Sequence, residues 1–499
     1  MPVRKFLLAV FAILAMLTLA TIILIPKNIG KDKIQLVWTT DPNPQREPQV
    51  LLFNRLYPQD HLSIDSDNSD AMKVLVQSSA GMGPDIIGHV GEYSIQKYKD
   101  AGLLWDVTDQ AKKMGFSPDT LPESIRPFVM MWTLDKKGEL VKRQFAYPCS
   151  FSHQFIFYNK NIFDKRKISY PPEDLTWKEY INVAEKLTVY TGKIDNVPSI
   201  FGGAGVDPIT LIWEKGGDIL NKDGTRCLLD SKAATDAMEF LHNLYYKYKI
   251  EPTPTQRVGV SSQGGWGIGN ITWFAEGKIS MLWGARWALI QLRRFIIEQH
   301  AVKKKWIKEH PKAKKYEGPE VLRIGACFVP RFGGKERHTR YSVRCAGINP
   351  NSKNRKEALN FLQFLASKEY SRTINKGADG KPANKKYNNI EDFTNKYWPE
   401  EKQVHEISLK ATLHGKMLSR SMFVSYSQIM QNLKLVTDKI VSNPGLTRKD
   451  IAKILSQANR NINLEIARNI KRNPKQMTIY KKLLELGAQP IALDLNKVK

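Results

Sequence analysis

The residues best suited to holding a ligand are concentrated in one glycine- and tryptophan-rich stretch, SSQGGWGIGNITWFAEGKISMLWGARWAL, Ser261 to Leu289. Glycines let a backbone approach a ligand closely, and an indole face offers apolar area that stacks on a sugar ring. Trp266 lies on the glycine loop, and Trp287 with the adjacent Arg286 follows towards the end of the stretch. A second concentration begins the globular part of the chain, where IQLVWTT (34–40) reads as a buried strand running straight into Asp41. In open α/β sheets ligands bind beyond the carboxyl ends of the strands, which is where Trp38, Thr40 and Asp41 fall.

Carboxylates such as Asp41 and Glu92 also have the chemistry of an acid and base pair for glycoside cleavage. Such pairs are not recognisable from spacing alone, and the chain contains no GxSxG, HExxH or Walker sequence. Gly81, Gly83 and Pro84 form a small-residue turn that joins a helix to the strand Asp85 to Ile87. Phosphate loops run the other way, from strand to helix, so a phosphate cradle is excluded here. Cys149, Cys227, Cys327 and Cys345 lack CxxC or clustered-histidine spacing, so no metal site and no cofactor is expected. Cys327 and Cys345 fall on two predicted neighbouring strands and are the pair to test for a disulfide, with four buried thiols as the alternative.

The elements that must position these residues alternate between strand and helix. FAYPCSFSHQFIFYNKNIF, Phe145 to Phe163, is rich in aromatics and reads as a strand entering after Pro148, with Ser150, Ser152 and His153 its polar members. Thr176 with Glu179 forms a capping box for a helix bearing Trp177, Ile181, Ala184 and Leu187 on one face. Ser231 caps a second helix and Ser352 a third, the latter with Ala358, Leu359, Phe361, Leu362 and Leu365 facing inward. From about Pro399 the chain is helical and basic, with Pro444, Gly445 and Pro474 separating helices.

At 499 residues the chain has room for two or three domains. Arg4 and Lys5 precede a nearly unbroken apolar run from Phe6 to Ile25, long enough to span a bilayer. We read residues 1–30 as an uncleaved anchor, with Ala20 the cleavage position if it is instead a signal peptide. The basic flank then stays in the cytoplasm and the body is exported. The 76 Lys and Arg against 49 Asp and Glu leave a formal charge of +27, which attracts anionic ligands, glycans or lipid head groups. Because those cations are spread along the chain without a nucleic-acid motif, nucleic acid is not expected as a partner.

Taken in order, several of these stretches resemble the sugar-binding type of extracytoplasmic solute-binding proteins of ABC transporters. The matching stretches are the first strand with Trp38 and Asp41, the helix, turn and PDII of residues 72–87, and AGLLWDVT. They continue with the strand from Phe145, the GGDILNKDG after Trp213, and the pattern met by Phe274, Gly277, Lys278, Met281, Gly284 and Trp287. SVRCAGINPNSKNRKEALNFLQFLASKEY is the clearest match. The resemblance covers roughly residues 34–370.

It implies an α/β, two-lobe periplasmic-binding-protein fold with extra C-terminal helices: residues 31–147 as lobe I, 148–284 as lobe II, 285–346 returning to lobe I, and 347–499 as lobe II and bracing helices. The ligand set it implies is Trp38, Asp41, His89, Glu92, Ser150, Ser152, Asp207, Trp213, Trp266, Arg286, Trp287 and Asp379. In that set the carboxylates accept from sugar hydroxyls, Arg286 pairs with a carboxylate or sulfate, and the tryptophans stack. It further implies capture rather than catalysis, a carbohydrate ligand, permease subunits in the inner membrane as partners, and a monomer in the periplasm; the tether by residues 1–30 is read from the apolar run and departs from the processed N-terminus usual in that family. Two alternatives stay open: an exported glycan-acting enzyme, and a cationic envelope protein that binds polyanions.

Overall fold

The computed structural model describes residues 33–65, 71–90, 95–190, 198–261, 269–313, 315–333, 336–388 and 398–498. Its organising strand is β6 (Tyr147–Asn159), 13 residues with all but Gln154 buried. A strand so rich in aromatic and small residues is stable only with both faces covered, and here two different sets of neighbours cover its two halves.

Along its first half β6 pairs antiparallel with β10 (Thr339–Ile348), Tyr341 opposite His153 and Ala346 opposite Tyr147. Beyond β10 lie β3 (Ile86–Val90), β1 (Ile34–Thr39) and β2 (Asp60–Asp65), with β1 parallel to both β2 and β3. Along its second half β6 pairs with β8 (Ile279–Ala285) and β9 (Ile324–Cys327), and β7 (Phe201–Ala204) adds to β8 in parallel. One curled mixed sheet therefore serves two lobes, and β6 and β10 carry the chain between them. The short hairpin β4 (Met130–Leu134) and β5 (Leu140–Gln144) stands apart, and β11 (Gly415–Lys416) adds to the end of β10.

Helices cover the sheet where the sequence supplies an apolar stripe. In the first lobe, Phe53 of the helix Arg46–Leu56 meets Phe361 and Phe364 of the helix Arg355–Leu365, and Trp38 packs on Phe361 at 4.8 Å between ring centroids. The aromatic rings bury their area there and add edge contacts beyond it. Thr176 and Glu179 form the expected capping box, and the helix Trp177–Leu187 buries Trp177, Tyr180, Ala184 and Leu187. Ser231 caps Lys232–Tyr246 as expected. Ser352 does not cap directly: Asn354 precedes the helix, while the Ser352 hydroxyl donates to Asp85 and accepts from the Asn354 backbone.

At the C-terminus, capping boxes at Ser425/Gln428 and Thr447/Asp450 start the helices Tyr426–Val441 and Arg448–Arg472. The second buries Ile451, Leu455, Ile462, Ile466 and Ile470, a spacing that lays one face against its neighbours. Both helices pack beside Lys232–Tyr246 in the second lobe.

Residues 285–327, placed by the sequence reading in a return to lobe I, stay with the second half of β6 through β9. Residues 347–388, placed in lobe II, contribute the helix Arg355–Leu365 to the first lobe, because its Phe361 and Phe364 answer Trp38 and Phe53. All four cysteines are buried free thiols, which corrects the expected Cys327–Cys345 test pair. Cys327 faces Ile156 and Cys345 faces Pro148 on β6, eight positions apart along one strand. At about 3.3 Å per residue that separation is far beyond disulfide reach.

Candidate ligand site

Five of the expected site residues converge on the loop 378–381, where β1 ends and β6 crosses between lobes. Arg46, on the first turn of its helix, places Nε 2.8 Å from Asp41 Oδ1 and Nη2 3.1 Å from Oδ2. Its Nη1 donates to Asp379, which also accepts from Arg344 Nη2 (3.0 Å), Gln49 Nε2 (3.0 Å) and Asn43 Nδ2 (3.1 Å). The Arg46, Arg344 and Asp379 side chains are 5% exposed or less. Burial by itself raises the Asp41 carboxyl, but Arg46 and then Arg344 overcome it and leave it below its ordinary value. The two carboxylates expected to meet a ligand are thus held by arginines, and they clamp the end of β1 to β10 and the loop.

Next to this network, Arg286 is wholly buried and donates to the carbonyls of Gly380 and Asn375 and to His405 Nδ1. Burial pushes its guanidinium down to about 9. His405 Nε2 lies 3.2 Å from Glu401, which Arg293 grips at 2.6 and 2.7 Å. Lys381, also wholly buried, has Nζ 2.9 Å from His153 Nδ1 and donates to the Ser408 carbonyl and the Thr412 hydroxyl. Burial, then the Arg286 charge, holds its amine well below the usual lysine value. Ser150 and Ser152, opposite Arg344 and Ser342, are buried against the same loop. This is a packed hinge of buried polar groups.

The other expected residues lie apart from it. Trp38 is fully buried in the first lobe's core. Asp207 caps the helix Pro208–Glu214 through the Thr210 N–H (3.1 Å) and pairs with Arg340 at 3.2 Å. Trp213 is buried with Nε1 donating to Asp218 at 3.2 Å. Trp287 is half-buried against the β8 cluster. His89 belongs to β3, opposite Cys345. Glu92, Trp266 and the segment 1–30 lie outside the described residues.

The open space between the lobes is lined by residues the sequence reading left unassigned. A cleft of about 600 Å³, within the range of small-molecule sites, lies between the first lobe's Gln96, Glu123, Arg126, Met130, Trp132 and Lys142 and the second lobe's Lys222, Asp223, Arg420, Met422, Leu483 and Leu486. The β4–β5 hairpin sets Trp132 directly opposite Lys142, whose Nζ sits 4.7 Å from the indole centroid. Trp132 is anchored from behind by Lys99, which donates to its carbonyl at 2.7 Å.

On the facing wall Gly224 holds φ at 67°, and a Cβ there would fall 1.7 Å from the Arg420 carbonyl. The backbone of Arg420 is thereby seated on the 221–226 turn, and Ser421 seals it by donating to the Gly224 carbonyl at 2.6 Å. Arg420 Nη1 then reaches across to the Met130 carbonyl at 3.1 Å, and Lys482 pairs with Glu139 at 3.1 Å. Both are contacts between lobes. The signal for the first-lobe wall was present in the sequence as DKKGE between MMWTL and LVKRQ, a hairpin turn that fixes which side chains face each other.

Two lobes joined by long shared strands, with a packed polar crossing and a cleft between them, have the architecture of a protein that holds a ligand between its lobes. The chain belongs to the bacterial extracellular solute-binding protein family, whose model matches residues 38–371. A binding protein of Brucella abortus (strain 2308) is 27% identical over 260 residues, 51% of this chain and 54% of that protein, so the match spans about half the length of the curated relative.

Solved structures with the same fold include an ABC substrate-binding protein of Listeria monocytogenes in complex with cycloalternan. It has a TM-score of 0.65 and 19% identity, covering 87% of this chain and 98% of that one. A solute-binding protein of Thermotoga lettingae bound with alpha-D-tagatose aligns with a TM-score of 0.64 at 16% identity, covering 87% and 100%. UgpB of Mycobacterium tuberculosis in complex with glycerophosphocholine also scores 0.64, at 12% identity, covering 87% and 99%. The expected two-lobe α/β fold with added C-terminal helices is therefore the fold of this chain. Among the described residues no group of His, Cys, Asp and Glu is disposed to hold a metal, and no helix is long and apolar enough to cross a membrane.

Proposed function

We propose that this chain is the substrate-binding component of an ABC importer, capturing a carbohydrate between its lobes and delivering it to a membrane permease. The observation that carries the reading is the cleft itself, a space of about 600 Å³ walled by both lobes, with an indole on one wall and polar side chains on the other. An aromatic face meets the apolar side of a sugar ring while amide, guanidinium and carboxylate groups take its hydroxyls. Solved structures of this fold hold cycloalternan and tagatose, which supports the ligand class.

Capture follows from differential affinity. A ligand touching Trp132 and Arg420 together binds the closed form more tightly than the open one, and the closed population rises by no more than that difference. The permease then recognises the closed form. On this reading the body works outside the cytoplasm as a monomer, tethered by residues 1–30, and does not turn its ligand over.

The test is a thermal-shift screen of the full chain against mono- and oligosaccharides, with chromatography of each mixture afterwards. A ligand in hundredfold excess over its dissociation constant adds about 2.7 kcal/mol of stability. A saturable shift with the saccharide recovered intact supports capture. Shortened products, or no shift across the panel, refute it.

A further inference from the structure

We infer that the ligand of this cleft is an acidic carbohydrate, one carrying carboxylate or sulfate groups; the inference rests on the capture reading above. Four cations line the cleft, Arg126 and Lys142 from the first lobe and Lys222 and Arg420 from the second, against the two carboxylates Glu123 and Asp223. Asp223 accepts the Gln489 backbone N–H at 3.0 Å and Arg420 donates to the Met130 carbonyl at 3.1 Å; both partners are neutral, so four cations against two carboxylates leave an excess of two positive charges. Arg126 is half-buried, and its Nε is buried without a hydrogen-bond partner. That N–H is closed to solvent, so an anion in the cleft meets Arg126 through the charge of its guanidinium.

The sign of the cleft is a local property and does not simply follow from the chain's charge of +27. The larger groove beside the helix Leu289–Glu309 carries Asp164, Glu276, Glu298 and Glu320 against only Lys165 and Arg323. The positive excess in the cleft is also arranged for bridging, with two cations on each wall, so a ligand bearing two acidic groups draws the walls together. Lys142 over the Trp132 indole places a cation beside the stacking face, where a uronic acid ring presents its carboxylate at the ring edge.

The experiment is calorimetric titration of the full chain with trigalacturonate and, separately, with the neutral trisaccharides maltotriose and cellotriose, in about 0.15 M and about 0.5 M salt. The acidic trisaccharide is expected to bind at least about tenfold more tightly than either neutral one and to keep saturable binding at the higher salt. Arg126→Gln and the exposed Lys142→Gln are each expected to weaken trigalacturonate at least about fivefold more than they weaken either neutral trisaccharide. Melting curves confirm that each variant is folded, and K142Q stands in if R126Q is not.

Neutral trisaccharides binding as tightly as the acidic one overturn the acidic assignment and leave carbohydrate capture intact. Binding of trigalacturonate that vanishes at about 0.5 M salt, or that ignores both substitutions, is adsorption to a cationic surface and also overturns it. No saccharide binding at all brings down the capture reading together with this one.

Discussion

Replacing Asp379 with asparagine tests whether the buried ion network holds the hinge. The carboxylate takes hydrogen bonds from Arg46, Arg344, Gln49 and Asn43, and its side chain is 5% exposed. An amide of the same shape removes the negative charge and turns an NH2 towards donors that are already there. Removing one partner of a buried pair costs about 3–5 kcal/mol, because the remaining charge stays desolvated and uncompensated.

Here the residual Asp41 carboxylate still faces Arg46, which places the expected loss at the lower end, about 3 kcal/mol. Urea unfolding at 25 °C followed by far-UV circular dichroism reads this directly. For a cooperative unit of about 150–250 residues it corresponds to a melting-temperature drop of at least about 6 °C. Arg344→Met in the same chain should recover part of the loss, with a coupling of about 0.5–3 kcal/mol. Ligand affinity measured on the folded variant should change less than about threefold, since both carboxylate oxygens face arginines. A loss below about 1 kcal/mol, the value of a surface pair, would refute the clamp; a large loss of affinity with stability intact would return Asp379 to the ligand.

Trp132→Ala should weaken the captured saccharide about 2- to 13-fold, the loss of one stacking contact of about 0.5–1.5 kcal/mol, as titration would show. Gly224→Ala should destabilise the chain by about 1–3 kcal/mol in thermal melts and loosen ligand binding as well, because its Cβ would displace the Arg420 backbone. Buried neutral histidines make the fold sensitive to mild acid. Burial lowers His405 to about 4, despite Glu401 beside it and with Arg286 and Arg293 opposing its charge, and burial with Lys381 holds His153 well below its ordinary value.

The unfolded chain therefore binds more protons below pH about 6.5, and stability falls from there down through the folded values by up to about 1.4 kcal/mol per pH unit for each group. His405→Gln should flatten urea midpoints measured between pH 7 and 5. The four thiols, buried and with Cys227 and Cys327 pushed up to about 12, should resist a thiol reagent in the native chain and all react in urea, with no mass change on reduction beforehand.

The order of strands and helices was legible in the sequence because each rests on local pattern. The aromatic run of β6, the Thr176–Glu179 capping box and the apolar faces of the helices Trp177–Leu187 and Arg355–Leu365 are set by residues a few positions apart. The sequence also carried the order of motifs that gives the fold, and the family model matches most of the same stretch.

The use to which each polar residue is put was decided only by tertiary structure. Asp41 and Asp379 stand 338 positions apart and share Arg46, which no spacing rule could reveal. Arg286 reads as a free cation until the Gly380 and Asn375 carbonyls close on it, and Trp38 reads as a strand-end platform until Phe361 covers it. The cleft wall was hidden for the same reason. Trp132 and Arg420 belong to unrelated segments, and a hairpin and a glycine turn bring them to one space. Local sequence fixes the direction of a side chain relative to its own element. Which carbonyl, carboxylate or open volume it then meets depends on how distant elements pack, and that packing decides whether a charge is buried as structure or left facing a ligand.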